Sequence, residues 1–97
     1  MEIIWTPLAL DRVAEIAMYI SQDNPIAATA WVNSVFSRVK QLTHFPESGS
    51  IVSEINRADI RQLVLSNYRI IYRIGANQIS ILTVRHHRQI LPDQNLE

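Results

Sequence analysis

The chain has 97 residues, no cysteine and a formal net charge of zero. Its length bounds it to a single domain spanning 1–97. The lack of cysteine excludes disulfides, thiolate metal sites and a cysteine nucleophile, and a hydrophobic share of 47% excludes a disordered chain. No basic n-region followed by an apolar stretch opens the sequence. No apolar run approaches the roughly 18 residues that a membrane span needs. A soluble, cytoplasmic protein that does not enter a membrane is therefore expected.

In chain order, Glu2 to Trp5 reads as a short strand. Thr6-Pro7 then gives a good N-cap followed by proline at the first helical position. Leu10, Val13, Ile16/Ala17 and Ile20 recur at three- and four-residue spacing, which predicts an amphipathic helix over 7–21. Asn24-Pro25 repeats the same start signal, and Ala28, Trp31/Val32, Val35, Val39 and Leu42 carry a helical stripe to about Thr43. A short turn separates the two helices, so they form an antiparallel hairpin. Phe45-Pro46-Glu47-Ser48-Gly49-Ser50 ends the second helix as a loop, and residues 50–59 carry no clear period.

From Ile60 the period changes from 3.6 to 2. Ile60–Leu65, Tyr68–Ile74 and Gln78–Arg85 read as strands joined by the tight turns Ser66-Asn67 and Gly75-Ala76-Asn77. Three sequential strands with such turns make an antiparallel meander, whose last strand is apolar on both faces and so belongs inside the sheet. The expected fold class is α+β in the order β-α-α-β-β-β. An antiparallel sheet of the N-terminal strand and the C-terminal meander is packed by the helical hairpin.

Zero net charge hides an uneven distribution. Residues 1–56 hold three basic and six acidic side chains, whereas residues 57–97 hold six arginines, no lysine and three acids. Arginine presents a planar donor fork suited to phosphate and carboxylate. Along the second meander strand Tyr68, Ile70, Tyr72 and Ile74 point one way, while Arg69, Ile71 and Arg73 point the other. Arg61 on one neighbouring strand and Arg85, His86, His87 and Arg88 at the end of the other extend that fringe into an anion-binding surface. The plainer reading is a solvated face, with Tyr68 and Tyr72 as core residues and Trp5 and Trp31 as core anchors.

The opening WTPLALDRVAEIAMYI, the loop FPESGS and the run IRQLVLSNYRIIYRIGANQISILTVRHHRQ resemble, in this order and spacing, the RelE/ParE toxin superfamily over about residues 2–90. The resemblance implies the toxin of a type II toxin–antitoxin pair, a class also known for plasmid stabilisation and growth arrest. It also implies a cognate antitoxin that lays an extended or helical segment over the toxin's helices and sheet. One branch of the superfamily, ParE-like, poisons DNA gyrase and is not known as an enzyme. The other, RelE-like, cuts mRNA inside the ribosome. The ending Arg85-His86-His87-Arg88-Gln89, the long paired helices and the lack of lysines in residues 57–97 look more like the ParE-like branch. That branch implies a target-binding surface of Arg61, Arg69, Arg73, Arg85 and Arg88, with His87 beside it and DNA gyrase as target.

The RelE-like alternative has the ribosome and mRNA as partners and needs a metal-independent nuclease site. There Arg69 and Arg85 would hold phosphate and His87 would act as acid or base. Glu54 is a weaker candidate base. A third reading is a toxin-like fold without activity. No cofactor is implied. A metal site is a poor reading, because His86 and His87 are adjacent on a strand and point to opposite faces. A homodimer and a toxin–antitoxin hetero-oligomer are both compatible with the sequence.

Overall fold

The computed structural model describes residues 1–87. Strand β1 (Glu2–Trp5) leads into helices α1 (Pro7–Ser21) and α2 (Pro25–Lys40), and α2 ends in a 3-10 turn, Gln41–Thr43. Strands β2 (Ser50–Ile51), β3 (Ile60–Leu65), β4 (Tyr68–Ile74) and β5 (Gln78–His86) follow. The α+β class and the expected order hold, with one addition, a two-residue strand β2 within the stretch that had no clear period, and one correction: the sheet is mixed, because the N-terminal strand pairs parallel and not antiparallel. The five strands lie in the order β1-β5-β4-β3-β2. The meander is antiparallel throughout, and β1 joins it parallel to β5, pairing Glu2 through Trp5 with Gln78 through Ile81. The last strand is interior, flanked by β1 and β4. No helix among the described residues is long and apolar enough to cross a membrane.

Both helices start where their caps predict. The Thr6 hydroxyl accepts from Ala9 N at 3.1 Å, and the Asn24 side chain accepts from Ala27 N at 3.0 Å, each followed by proline. Thr6 has a second task. Its hydroxyl shares its one proton between the carbonyls of Ile81 (2.8 Å) and Leu82 (3.1 Å), so it ties the start of α1 to β5. Thr6→Val, which keeps the shape, removes a cap and leaves those acceptors without their donor. We expect a cost of about 1–2 kcal/mol. Thermal unfolding followed by circular dichroism should show a midpoint about 5–15 °C lower; an unchanged midpoint would mean water replaces the hydroxyl without loss.

One sheet face carries the main core. Val13 of α1, Trp31, Val35 and Val39 of α2 and Leu42 pack on Leu63, Ile70, Tyr72, Ile79, Ile81 and Val84. The spacing on β5 is irregular because Tyr72 pairs with Ile81 while Ile71 pairs with Thr83, leaving Leu82 as an extra residue. This bulge explains why the last strand is apolar on both faces. Ile79, Ile81 and Val84 face the helices, and Leu82 turns to the opposite side. There a second, small core forms from Val52, Ile60 and Ile71, with Ile55 and Leu82 against it.

Candidate functional site

The second core decides what becomes of the arginines. Val52 and Ile55 anchor the segment between β2 and β3 onto the outer sheet face. The segment turns tightly, with Ile55 N and Asn56 N both donating to the Val52 carbonyl, and Asn56 takes a left-handed φ of 56° that asparagine tolerates. That turn places Glu54 over Arg69. The Arg69 Nη1 donates to Glu54 Oε1 at 3.1 Å and to Gln62 Oε1 at 3.2 Å, and Nη2 donates to Glu54 Oε2 at 2.5 Å. A fork-to-fork pair of this kind is the strongest geometry a carboxylate and a guanidinium can adopt. Arg69 is 5% exposed. The sequence reading offered it to solvent or a ligand; the structure turns it to the expected face but covers it, because a loop with no clear period folds over that face.

The other arginines separate into two kinds. Arg61 braces loops: its Nη1 donates to the carbonyls of Gly49 (3.0 Å) and Glu47 (3.4 Å), and its Nε to that of Ala58 (3.1 Å). Arg73 and Arg85 are part-exposed and make no side-chain hydrogen bond to the described residues. Both share the outer face with Arg69, and Arg85 sits directly across from it in the ladder. Like charges opposite one another are unfavourable, and Glu54 offsets this. Nearby, Arg57 donates to both oxygens of Asp59 (3.1 and 2.8 Å). Those bonds hold the Asp59 carboxyl below its usual range, with the charges of Arg57 and Arg73 acting in the same direction. Arg88 lies outside the described residues.

The two histidines lie at the end of β5, His86 as its last residue and His87 just past it. His86 turns to the helix side, its ring edge-on to Tyr68 at 5.7 Å between centroids. His87 follows the strand end, is exposed, and its backbone N–H donates to the Asn67 carbonyl at 2.6 Å. Arg69, Arg85 and His87 thus gather at one end of β4 and β5, with Arg69 already engaged. Among the described residues no group of three or more His, Asp or Glu is placed to hold a metal ion.

The sequence reading missed a cleft on the other side of this end. Arg12, Glu15, Ile16 and Tyr19 of α1 face Tyr68, Val84, Arg85 and His86 across a cavity of about 470 Å³. The spacing of the four helix residues was a legible signal for one face. That the end of β5 lies opposite was not.

A strand, an antiparallel helix pair and an antiparallel meander, with an arginine-bearing sheet face and no metal cluster among the described residues, define the small α+β toxin fold to which the motifs pointed. The model of the family described as ParE toxin of type II toxin-antitoxin system, parDE, matches residues 3–91. The candidate toxin Y4kP of Sinorhizobium fredii is 40% identical over 90 residues, covering 91% of this chain and 90% of that protein. A solved structure described as the chromosomal ParDE TA system from P. aeruginosa is similar with a TM-score of 0.72 at 22% identity. It covers 89% of this chain and 95% of that one, and so shares the fold. This chain belongs to the ParE toxin family of type II toxin–antitoxin systems.

Proposed function

We propose that this toxin inhibits DNA gyrase through a contact surface and is neutralised by a cognate antitoxin that covers it. The observation that carries the reading is the Glu54–Arg69 pair. Metal-free RNA cleavage needs cations free to take the phosphate and an acid or base within hydrogen-bond reach of the reacting oxygens. Here the best-placed guanidinium is buried under a carboxylate of the same chain. Breaking that pair at each turnover would expose a desolvated charge. A binding surface has no such requirement, and Arg73 and Arg85 are accessible to a partner. On this reading Arg69 supports the surface from below and Arg61 braces its loops, while Arg73 and Arg85 make the contact.

Expression of the chain alone in a bacterial host, with DNA and protein synthesis followed separately by pulse labelling, tests this. DNA synthesis should fall first, and purified chain should inhibit gyrase supercoiling. Arg73→Ala and Arg85→Ala should each weaken the inhibition about three- to tenfold, with His87→Ala near wild type. If translation falls first and His87→Ala restores growth, the chain is a ribonuclease. Harmless expression of folded chain would mean an inactive toxin.

A further inference from the structure

We propose that the cleft between α1 and the end of β5 is a binding site for a nucleoside monophosphate. The guanidinium groups of Arg12 and Arg85 take the phosphate, and the rings of Tyr19 and Tyr68 take the base. The site stands on the cleft alone and not on the identity of the toxin's target. Its volume, about 470 Å³, lies in the usual range for small-molecule sites. Helix α1 forms one wall, and the adjoining ends of β4 and β5 form the other. Each wall supplies one guanidinium and one tyrosine: Arg12 and Tyr19 from the helix, Arg85 and Tyr68 from the sheet. Ile16 and Val84 add apolar surface. A ring-bearing anion is the chemical class that uses all of these groups at once.

The charges select phosphate. Arg12 reaches Glu15 through Nη1 alone, at 3.0 and 3.2 Å, and Arg85 makes no side-chain hydrogen bond to the described residues. Two cations against one carboxylate leave an unmatched positive charge. A ligand carboxylate has two oxygens and fills one guanidinium fork. A phosphate monoester has three free oxygens and a charge of about −1.5 to −2 at neutral pH, enough for both forks. The rings select a base. Tyr68 is fixed in place, with the Trp31 ring edge-on to it at 5.3 Å and the His86 ring at 5.7 Å between centroids. Tyr19 is 69% exposed and makes no ring contact among the described residues. A stacked base would cover that apolar surface, and any of the bases can do so because each has a π-face. Arg85 is also assigned to target contact, so a nucleotide in the cleft and the target compete for it.

Adenosine monophosphate, titrated into nitrogen-15-labelled full chain and followed by amide NMR, tests the site. Shifts should concentrate on the Arg12–Tyr19 face and at Tyr68, Val84 and Arg85, and the affinity should fall as salt is raised. Adenosine alone and inorganic phosphate alone should each bind about tenfold more weakly, since each leaves half of the cleft unused. Arg12→Ala and Tyr19→Ala should each weaken binding about tenfold. Neither side chain is buried, so both variants should fold. Tyr19→Phe keeps the ring and should bind like wild type. The site is overturned if the shifts fall elsewhere, if Arg12→Ala or Tyr19→Ala changes nothing, or if inorganic phosphate binds as tightly as the nucleotide. It is also overturned if a single-stranded oligoadenylate binds these residues more tightly than the monophosphate, which would make the ligand a nucleic acid.

Discussion

Glu54→Ala should cost about 3 kcal/mol of stability, more than an ordinary surface substitution by several-fold. The Glu54 carboxylate takes two bonds from a guanidinium whose side chain is 6% exposed, and Glu54 itself is 22% exposed. Without it, Arg69 keeps the Gln62 amide oxygen, but a neutral acceptor does not offset a desolvated cation. In a domain of this size the loss corresponds to a fall of about 12–24 °C in the unfolding midpoint. Arg69→Met should cost less, since a long apolar side chain fills the space and the carboxylate left behind can reach water. The double variant Glu54→Leu/Arg69→Met should return to within about 1–2 kcal/mol of wild type, because replacing a buried pair with apolar groups is often close to neutral. Urea denaturation of the four proteins gives the coupling directly. A Glu54→Ala loss below about 1 kcal/mol would mean that water already screens the pair. The result bears on function too: loss of toxicity in an Arg69 variant reports on target contact only after its folding has been measured.

The contrast between Thr6 and Glu54 shows what was legible in the sequence. Thr6-Pro7 and Asn24-Pro25 announce helices because a cap acts on groups three residues away, and the structure uses both as read. The change to period 2 at Ile60 marks the meander, whose turns are equally local. The segment 50–59 has no such signal. Its order comes from Val52 meeting Ile60 and Ile71, contacts made across the sheet. Without them Arg69 reads as exposed, and its carboxylate partner fifteen residues upstream reads as a candidate base. The bulge at Leu82 is non-local in the same way, since it exists only in the pairing of β5 with β4. The cleft was half legible: Arg12, Glu15, Ile16 and Tyr19 share a helix face on spacing alone. Its other wall depends on β1 pairing parallel to β5 and stopping at Ile81.

Gly49→Ala is the second substitution expected to be severe, at about 3 kcal/mol. The reason is space and not backbone conformation, for Gly49 does not take a positive φ. A Cβ there would stand 2.6 Å from the Gln62 carbonyl oxygen, 2.6 Å from the Tyr72 hydroxyl and 2.8 Å from Cε1 of the same ring. The ring is fully buried and the carbonyl belongs to β3, so neither can give way cheaply. The tyrosine hydroxyl organises this loop. It accepts from Gly49 N at 3.0 Å and donates to the Pro46 carbonyl at 2.7 Å, while Arg61 donates to the Gly49 carbonyl from the other side. Tyr72→Phe removes the hydroxyl and leaves the Gly49 N–H buried without its acceptor, a cost of about 2 kcal/mol. In the double variant Gly49→Ala/Tyr72→Phe the hydroxyl clash disappears but the clashes with the Gln62 carbonyl and with the ring Cε1 remain. Recovery should therefore be partial, and full recovery would show that the hydroxyl alone sets the limit. Burial pushes the Tyr72 hydroxyl above its ordinary value of 10.0, with the Gly49 N–H acting in the opposite sense. Above about pH 10 the unfolded chain therefore loses this proton before the folded one does, and stability falls as pH rises through that range. Urea midpoints at about pH 9 and about pH 11 should separate more for wild type than for Tyr72→Phe. Equal separations would mean that the hydroxyl is open to water and that the FPESGS loop does not close over it.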